Sequence, residues 1–305
     1  MSMDIVVTPP GPLARPALHA SFLGMLRGEW LKMARLFWLL LILLTAGFLV
    51  GFWLGANAPD AQATLQHAPL LFLYTSMEEN LQVFRIFSGI VLLVLTSFTI
   101  GREYQYGTIR ILLARGVGRL QLLVAKLTML ILLAAFLLVI FTLFTAVFTC
   151  LHILVLAGNL NALRALTTSF WPNLGLDLLA IFISMSATIL LAAAMNALTR
   201  SLTLGLSASL LWFPLDNIGV LIMNTLSRVT HSAFWVNATA YFLGPLLNRL
   251  PDWLVPASGR SGYQSFGVLS QVPVDGVHAL FVIGIYSLVF LLLACIPTWK
   301  RDVKE

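Results

Sequence analysis

The sequence predicts an all-α integral membrane protein with six transmembrane helices. Hydrophobic residues make up 59% of the chain and charged residues only 10%, whereas about 25% of the residues in a soluble domain are charged. The mean hydropathy is +0.94. Long apolar runs recur along the chain, and a helix that crosses a bilayer needs about 20 mostly apolar residues. We therefore expect residues 36–305 to form a single transmembrane domain.

Six apolar runs are long enough to cross the membrane. The third of them carries no charged residue between Lys126 and Arg164. The fifth is the least regular, because Pro214 disrupts helical hydrogen bonding and Asp216 is costly inside a bilayer. The predicted spans are residues 36–56, 81–101, 120–148, 174–199, 202–223 and 277–299.

The basic residues predict the orientation of these spans. With the N-terminus inside the cell, 13 of the 18 lysine and arginine residues fall on the cytoplasmic side, and this bias favours that orientation. Both termini and residues 102–119 are then cytoplasmic in a multi-pass protein of the plasma (inner) membrane. The net charge of +6 is explained by this placement, so we expect no nucleic-acid partner.

The N-terminal residues predict a tail and an amphipathic helix ahead of the first span. Residues 1–17 are rich in proline and lack the apolar core of a cleavable signal, so a flexible cytoplasmic tail is expected. In residues 18–35 the apolar side chains recur at helical spacing and favour a helix that lies along the inner membrane surface. The alternative is that this helix simply extends the first span. The apolar face consists of Leu23, Leu26, Trp30, Met33 and Phe37.

A basic segment with a turn, residues 101–126, lies between the second and third spans. Thr108 can cap a short helix by accepting a backbone N–H, and Gly116 and Gly118 permit a turn after it. Such a helix suits docking into a groove on a cytoplasmic protein, and the alternative is a solvated, positively charged loop. Arg110 points away from the apolar stripe of this helix. The stripe consists of Ile109, Leu112 and Leu113.

This segment resembles the signature of type-2 ABC transporter permeases. The residues that carry the resemblance are Arg102-Glu103-Tyr104-Gln105-Tyr106-Gly107-Thr108, then Leu112-Leu113-Ala114-Arg115, Arg119 and Lys126. In that family an acid precedes Gly-Thr, an apolar pair and a basic residue follow, and a lysine opens the next span. Proline and serine are more usual there at the positions of Gly116 and Gly118. The resemblance extends over the whole chain, with its amphipathic N-terminal helix, six spans and long outer segment between spans five and six.

The resemblance implies the permease subunit of an ATP-driven ABC exporter. Residues 18–35 would be its elbow helix, and a cytoplasmic coupling helix from Thr108 to Arg115 would dock on the ATPase. Its partners would be two copies of an ATP-binding ABC subunit, a second permease subunit in a homodimer or heterodimer, and membrane lipid. The family exports amphipathic or hydrophobic compounds such as drugs, antimicrobial peptides and lipids. The implied ATPase-coupling residues are Arg102, Glu103, Gly107, Thr108, Ile109, Arg110, Leu112, Leu113, Arg115 and Arg119.

The chain lacks the sequence motifs of a nucleotide-binding or catalytic subunit. A phosphate-binding loop needs Gly-Lys followed by Ser or Thr, and no Gly-Lys pair occurs. The five histidines show no paired spacing for zinc, and the Gly-x-Ser-x-Gly elbow of a hydrolase is absent. We therefore expect no catalytic residue, metal or cofactor in this chain, with ATP and Mg bound by the partner ATPase.

Two acidic residues inside predicted spans, Asp177 and Asp216, are candidate pathway residues, because an acid within a span is costly and often functional. Asp177 lies near the predicted outer interface, where the alternative is simple solvation. Asp216 could accept backbone donors freed by Pro214, pair with Asn217 or line a cavity. Two isolated acids do not form a convincing proton relay, which argues against an ion-coupled carrier. An ion-coupled carrier or channel is kept as the alternative function, together with a membrane sensor or assembly partner without transport.

The long outer segment, residues 225–276, contains four prolines and is too broken to cross the membrane twice. Its apolar part from Ala233 to Leu247 predicts a short helix at the outer leaflet. That helix would either dip into the leaflet as an outer gate or cover the bundle as a surface lid.

Overall fold

The computed structural model describes residues 21–57, 60–107, 118–256 and 272–300. In these ranges the chain forms nine α-helices, two 3₁₀ helices and no strand, which confirms the all-α fold class. The predicted N-terminal tail and the predicted coupling helix lie outside them. The 3₁₀ helices are Asn161–Ala165 and Thr239–Tyr241. The α-helices are α1 Phe22–Ala56, α2 Ala61–His67, α3 Pro69–Gln105, α4 Arg119–Ala157, α5 Phe170–Thr199, α6 Leu202–Thr230, α7 Ala233–Ala238, α8 Leu243–Leu254 and α9 Gly276–Lys300.

Six of the described helices (α1, α3, α4, α5, α6 and α9) are long and apolar enough to cross a membrane. Each predicted span falls inside one of them, and α6 stays a single helix through Pro214. The longest two, α3 and α4, have 37 and 39 residues, or about 55–58 Å at 1.5 Å per residue. They are therefore much longer than the roughly 30 Å hydrocarbon core of a bilayer.

The first helix does not separate into an elbow and a span. α1 runs without a break from Phe22 to Ala56, as in the alternative in which the amphipathic segment extends the first span. Most of the predicted apolar face packs against other helices, since Met33 and Phe37 are 4% and 2% exposed and Trp30 contacts the same core, whereas Leu23 at the start of the helix is exposed. A stripe at helical spacing fits a neighbouring helix as well as a membrane surface, so the pattern alone does not decide between the two arrangements.

Five of the long helices pack around one apolar core: α1, α3, α4, α5 and, through Ala294, α9. Phe84 of α3 and Phe141 of α4 stack with ring centroids 4.9 Å apart, and Phe48 of α1 meets Phe141 edge-on at 5.3 Å. The end of α3 lies beside the end of α9, where the hydroxyl oxygens of Tyr104 and Thr298 are 3.3 Å apart. We call this end of the bundle the lower end, and the opposite end, where α1 ends and α3 begins, the upper end.

A buried asparagine joins three helices near the lower end. Asn196 of α5 is fully buried, and its side-chain amide donates hydrogen bonds to the Ser97 hydroxyl of α3 (2.9 Å) and to the Ala192 carbonyl (2.8 Å). Gly101 of α3 and Gly205 of α6 lie against Asn196, and a Cβ added to either would lie under 3.0 Å from its atoms. We call these contacts the Asn196 junction. The missing side chains at the two glycines set the spacing of the three helices.

Over residues 233–254 the chain forms two α-helices with a 3₁₀ helix between them, rather than the single helix predicted over residues 233–247. α7 ends at Ala238, and Phe242 adopts an extended backbone (φ −79°, ψ 123°) before α8 begins. Leu243, Leu246 and Leu250 of α8 are buried against α5 and α9. α8 is therefore part of the packed core in the upper half of the bundle.

Candidate functional site

Four charged side chains from three helices meet at the lower end. Lys126 Nζ of α4 lies 2.5 Å from Glu29 Oε2 of α1 and 3.0 Å from Glu103 Oε1 of α3. Lys32 Nζ of α1 lies 2.6 Å from Glu29 Oε1 and 3.0 Å from Glu103 Oε1. Each lysine therefore bridges both carboxylates, and we call these residues the four-charge cluster.

The four-charge cluster is mostly buried and electrically balanced. Lys126, Glu29 and Glu103 are 3%, 4% and 8% exposed, whereas about half of the Lys32 side chain is accessible. Lys126 also donates to the Thr99 carbonyl at 3.1 Å, beside its hydrogen bond to Glu29 and its ion pair with Glu103. Removing one partner of a buried ion pair is strongly destabilising. The cluster therefore holds α1, α3 and α4 in fixed relative positions.

The cluster brackets residues 108–117, which connect α3 to α4 and which we call the coupling segment. Glu103 lies in the last turn of α3, and Lys126 lies about two turns into α4. Gly107, which follows α3, has a φ of +64°, the left-handed conformation that favours glycine. A Cβ there would meet nothing within 4 Å, so the backbone angle rather than crowding requires this glycine. α1 is thus tied to the helices on both sides of the coupling segment.

Besides Glu103 and Gly107, the structure describes two more of the predicted ATPase-coupling residues, Arg102 and Arg119. Arg102 is exposed, and its guanidinium lies 5.9 and 5.7 Å from the ring centroids of Phe98 and Tyr106. Arg119 is the first residue of α4 and is half-buried. The other predicted coupling residues lie outside the described residues: Thr108, Ile109, Arg110, Leu112, Leu113 and Arg115.

A cavity of about 790 Å³ opens between α3, α5, α6 and α8, about halfway along the three longer helices. Arg85 of α3 lines it and is 5% exposed. Arg85 Nη1 donates to the carbonyl of Leu247 of α8 at 2.8 Å. We call this the Arg85 cavity. Its walls include Gly89, Leu93, Ser184, Thr188, Leu210 and Asn217.

Neither candidate pathway acid is among the described residues that line this cavity. Asp216 of α6 instead accepts a hydrogen bond from the backbone N–H of Gly244 (2.5 Å) in the first turn of α8. A carboxylate is favourable there, because it satisfies a free donor at a helix N-terminus and opposes the helix dipole. The donor comes from α8, and not from α6, the helix that contains Pro214. Asp177 is half-buried near the start of α5, and a pathway role for either acid stays a prediction.

Replacing Asp216 with alanine is expected to destabilise the packing of α8 by about 0.5–2 kcal/mol, the cost of losing a helix cap. Asp216→Asn keeps an acceptor oxygen and should cost less. Limited trypsin digestion measures the effect, because cleavage after Arg249 of α8 requires this 7% exposed residue to leave its packed position. Equal cleavage rates in the wild type and in Asp216→Ala would contradict the capping role.

A family model described as ABC-2 family transporter protein matches residues 25–214 of the chain. The chain belongs to this family. The match covers nearly all of α1, all of α2 to α5 and the first part of α6, and it contains the whole four-charge cluster. As an ABC-2 family transporter the chain is an ABC permease, and permeases of this family generally act with an ATP-binding subunit. Comparison with curated proteins gives no match.

The sequence of this ABC-2 permease does not identify the partners of Glu103 and Lys126. Glu29 and Lys32 lie outside the apolar stripe of the predicted amphipathic helix, where a surface helix would keep them in water, whereas the structure turns Glu29 into the bundle. The sequence does contain one indication of this pairing, because Glu29 and Lys32 carry opposite charges three residues apart in a long apolar helix. Arg85 also received no role, although a lone arginine within an apolar run indicates a functional site.

Proposed function

We propose that this chain is the permease subunit of an ATP-driven exporter in the plasma membrane. Its lower end and both termini face the cytoplasm, and its cargo is an amphipathic or hydrophobic compound. Two copies of an ATP-binding subunit and a second permease, identical or related, complete the transporter. ATP and Mg bind to the partner, where hydrolysis takes place, and this chain supplies no catalytic residue.

The four-charge cluster carries this proposal, because it joins the two helices that flank the coupling segment, α3 and α4, to α1. Force on the docked segment reaches α3 near Glu103 and α4 near Lys126, and both residues are paired with α1. Separating buried ion pairs is costly, so the three helices move together. Closure of two ATPase subunits around ATP would then tilt these helices, provided that the docked segment makes different contacts in the two states.

Arg110→Asp and Leu112→Asp are each expected to reduce the ATP-binding subunit that co-purifies with the full-length chain by about tenfold or more. The aspartate at position 110 reverses a charge on the basic edge of the coupling segment, and the aspartate at position 112 places a charge in its apolar stripe. The measurement is the molar ratio of ATP-binding subunit to permease after purification in a mild uncharged detergent.

Arg164→Asp is the matched control for this experiment. Arg164 is exposed in the 3₁₀ helix at the upper end, far from the coupling segment, so the same charge change there should leave the ratio unchanged. Undiminished co-purification of both coupling-segment variants would show that the docking assignment is wrong. Transport by reconstituted vesicles without nucleotide would instead favour the ion-coupled carrier.

A further inference from the structure

Helix α1 has an exposed face at its lower end that combines basic and apolar residues. Arg27, Leu31, Arg35 and Trp38 follow one another at intervals of three or four residues, so they lie on one side of the helix. Leu31 and Trp38 are 66% and 59% exposed, and both arginines are exposed as well. Met33, which is buried in the bundle core, lies on the opposite side. We call the four exposed residues the exposed α1 face.

The sequence of α1 places the lower membrane boundary within this face. Residues 36–56 carry no charge and extend about 30 Å as a helix, which is the thickness of the hydrocarbon core. Trp38 and Trp53 are both largely exposed near the ends of this run, and tryptophan is enriched at the two membrane–water interfaces. Arg35 therefore lies at the boundary, at the depth of the lipid headgroups. Arg27 lies about 12 Å lower along the helix, and its long side chain can extend toward the membrane surface.

The two arginines of this face carry charges that the described part of the chain does not neutralise. The acidic residues described at the lower end are Glu29 and Glu103, and both are held in the four-charge cluster. Within the described residues, neither Arg27 nor Arg35 has a side-chain hydrogen bond or an ion pair. A guanidinium keeps its charge, and its planar fork binds two oxygens of a phosphate. The upper end of α1 differs, because its last turn contains no basic residue.

We propose that the exposed α1 face binds an anionic phospholipid, with Arg27 and Arg35 on its headgroup and Trp38 beside the start of its acyl chains. Leu31, between the two arginines, then contacts lipid instead of water. Each basic residue at an anionic membrane surface strengthens binding by about fivefold. A second copy of the chain is a poor occupant, since a two-fold symmetric contact through this face would bring like charges together. The inference is independent of the cargo and of ATP-driven export.

The affinity for two lipids of different net charge tests the role of the arginines. Native mass spectrometry of the full-length chain in a mild uncharged detergent measures the dissociation constant of the first bound lipid. Phosphatidylglycerol should bind at least about tenfold more tightly than phosphatidylcholine with the same acyl chains. Arg27→Gln with Arg35→Gln should lose this preference, and Arg27→Lys with Arg35→Lys should keep most of it.

Arg164→Gln with Arg228→Gln is the matched control for the glutamine variant. Both of these arginines are exposed, and both lie at the upper end, one in the first 3₁₀ helix and one in the last turn of α6. The control loses the same charge as the α1 variant and should keep the preference for phosphatidylglycerol.

Fluorescence quenching tests the location independently of the arginines. Bromine atoms on an acyl chain quench a tryptophan that they contact. In phosphatidylcholine nanodiscs, a small fraction of brominated phosphatidylglycerol should therefore quench the wild type more than the same fraction of brominated phosphatidylcholine. Trp38→Phe should lower this excess quenching. Trp53→Phe should leave it unchanged and is the matched control, because Trp53 lies on the same helix, is 63% exposed and is near the opposite boundary.

The inference is wrong if the wild type binds both lipids equally, if Arg27→Gln with Arg35→Gln keeps the preference, or if Trp38→Phe and Trp53→Phe show the same excess quenching. The native mass spectra also report the oligomeric state. Loss of a dimer in Arg27→Gln with Arg35→Gln, without a change in lipid preference, would assign this face to a contact between copies and overturn the inference.

Discussion

Replacing Lys126 with methionine is expected to lower the free energy of unfolding by about 3–5 kcal/mol, because Glu29 and Glu103 would stay buried with a single lysine between them. The thermal unfolding midpoint of the purified full-length chain should fall by an amount on the order of 10 °C. Size-exclusion chromatography of heated, detergent-solubilised samples measures this midpoint. The effect should be among the largest of any single substitution, since Lys126 contacts two carboxylates and a backbone carbonyl.

Two variants separate the loss of charge pairing from the loss of a lysine. Lys300→Met removes an exposed lysine at the end of α9 and should change stability by less than about 0.5 kcal/mol. The double variant Glu29→Gln with Lys126→Met removes one charge of each sign, so it should recover much of the lost stability. If the double variant is no more stable than Lys126→Met, the four-charge cluster does not act through charge balance.

Replacing Gly205 with leucine is expected to cost about 3 kcal/mol, because the side chain would enter the space of Asn196. A Cβ at this position already lies 2.9 Å from the Asn196 Cα, an atom of the backbone that cannot rotate away. α5 and α6 must therefore move apart, and the Asn196 side chain, which the same Cβ meets, is displaced from its hydrogen bond with Ser97 of α3. The unfolding midpoint measures the loss, and Gly205→Ala should show a smaller loss in the same direction.

The control for Gly205→Leu is a glycine with free space around it. Gly175 of α5 is exposed, and a Cβ added to it would meet nothing within 4 Å. Gly175→Leu should therefore leave the midpoint nearly unchanged, and leucine improves the helix propensity by about 1 kcal/mol relative to glycine. Similar midpoints for the two leucine variants would show that the Asn196 junction does not limit the spacing of the helices.

The six long helices and the all-α fold could be predicted from the sequence, because apolar runs of span length have few other structures available to them. The contacts between helices could not. Lys126 was part of a recognised signature, but its partner Glu29 lies 97 residues away along the chain, and periodicity within one helix carries no information on which distant helix faces it. Small residues such as Gly205 and Ser209 permit close helix contact, but their spacing does not identify Asn196 as the side chain that fills it.

The same limit applies to the candidate sites. The pattern of residues 18–35 fits both a membrane surface and a packed helix, and the burial of Glu29 and Met33 favours the second arrangement. Asp216 was expected to serve its own helix or a cavity, whereas it bonds Gly244 of a helix formed later in the chain. Both outcomes depend on tertiary neighbours, which single-chain propensity does not specify.

The length of α4 has a mechanical consequence. Helix α4 has 39 residues without a break and behaves as a stiff rod of about 58 Å. If the rod pivots at Lys126, a rotation of about 10° displaces the far end, about 47 Å away, by about 8 Å. A displacement of that size at the upper end requires neither unfolding nor a hinge within the helix. Leverage of this kind would let a small movement below the bilayer open a large gap on the opposite side.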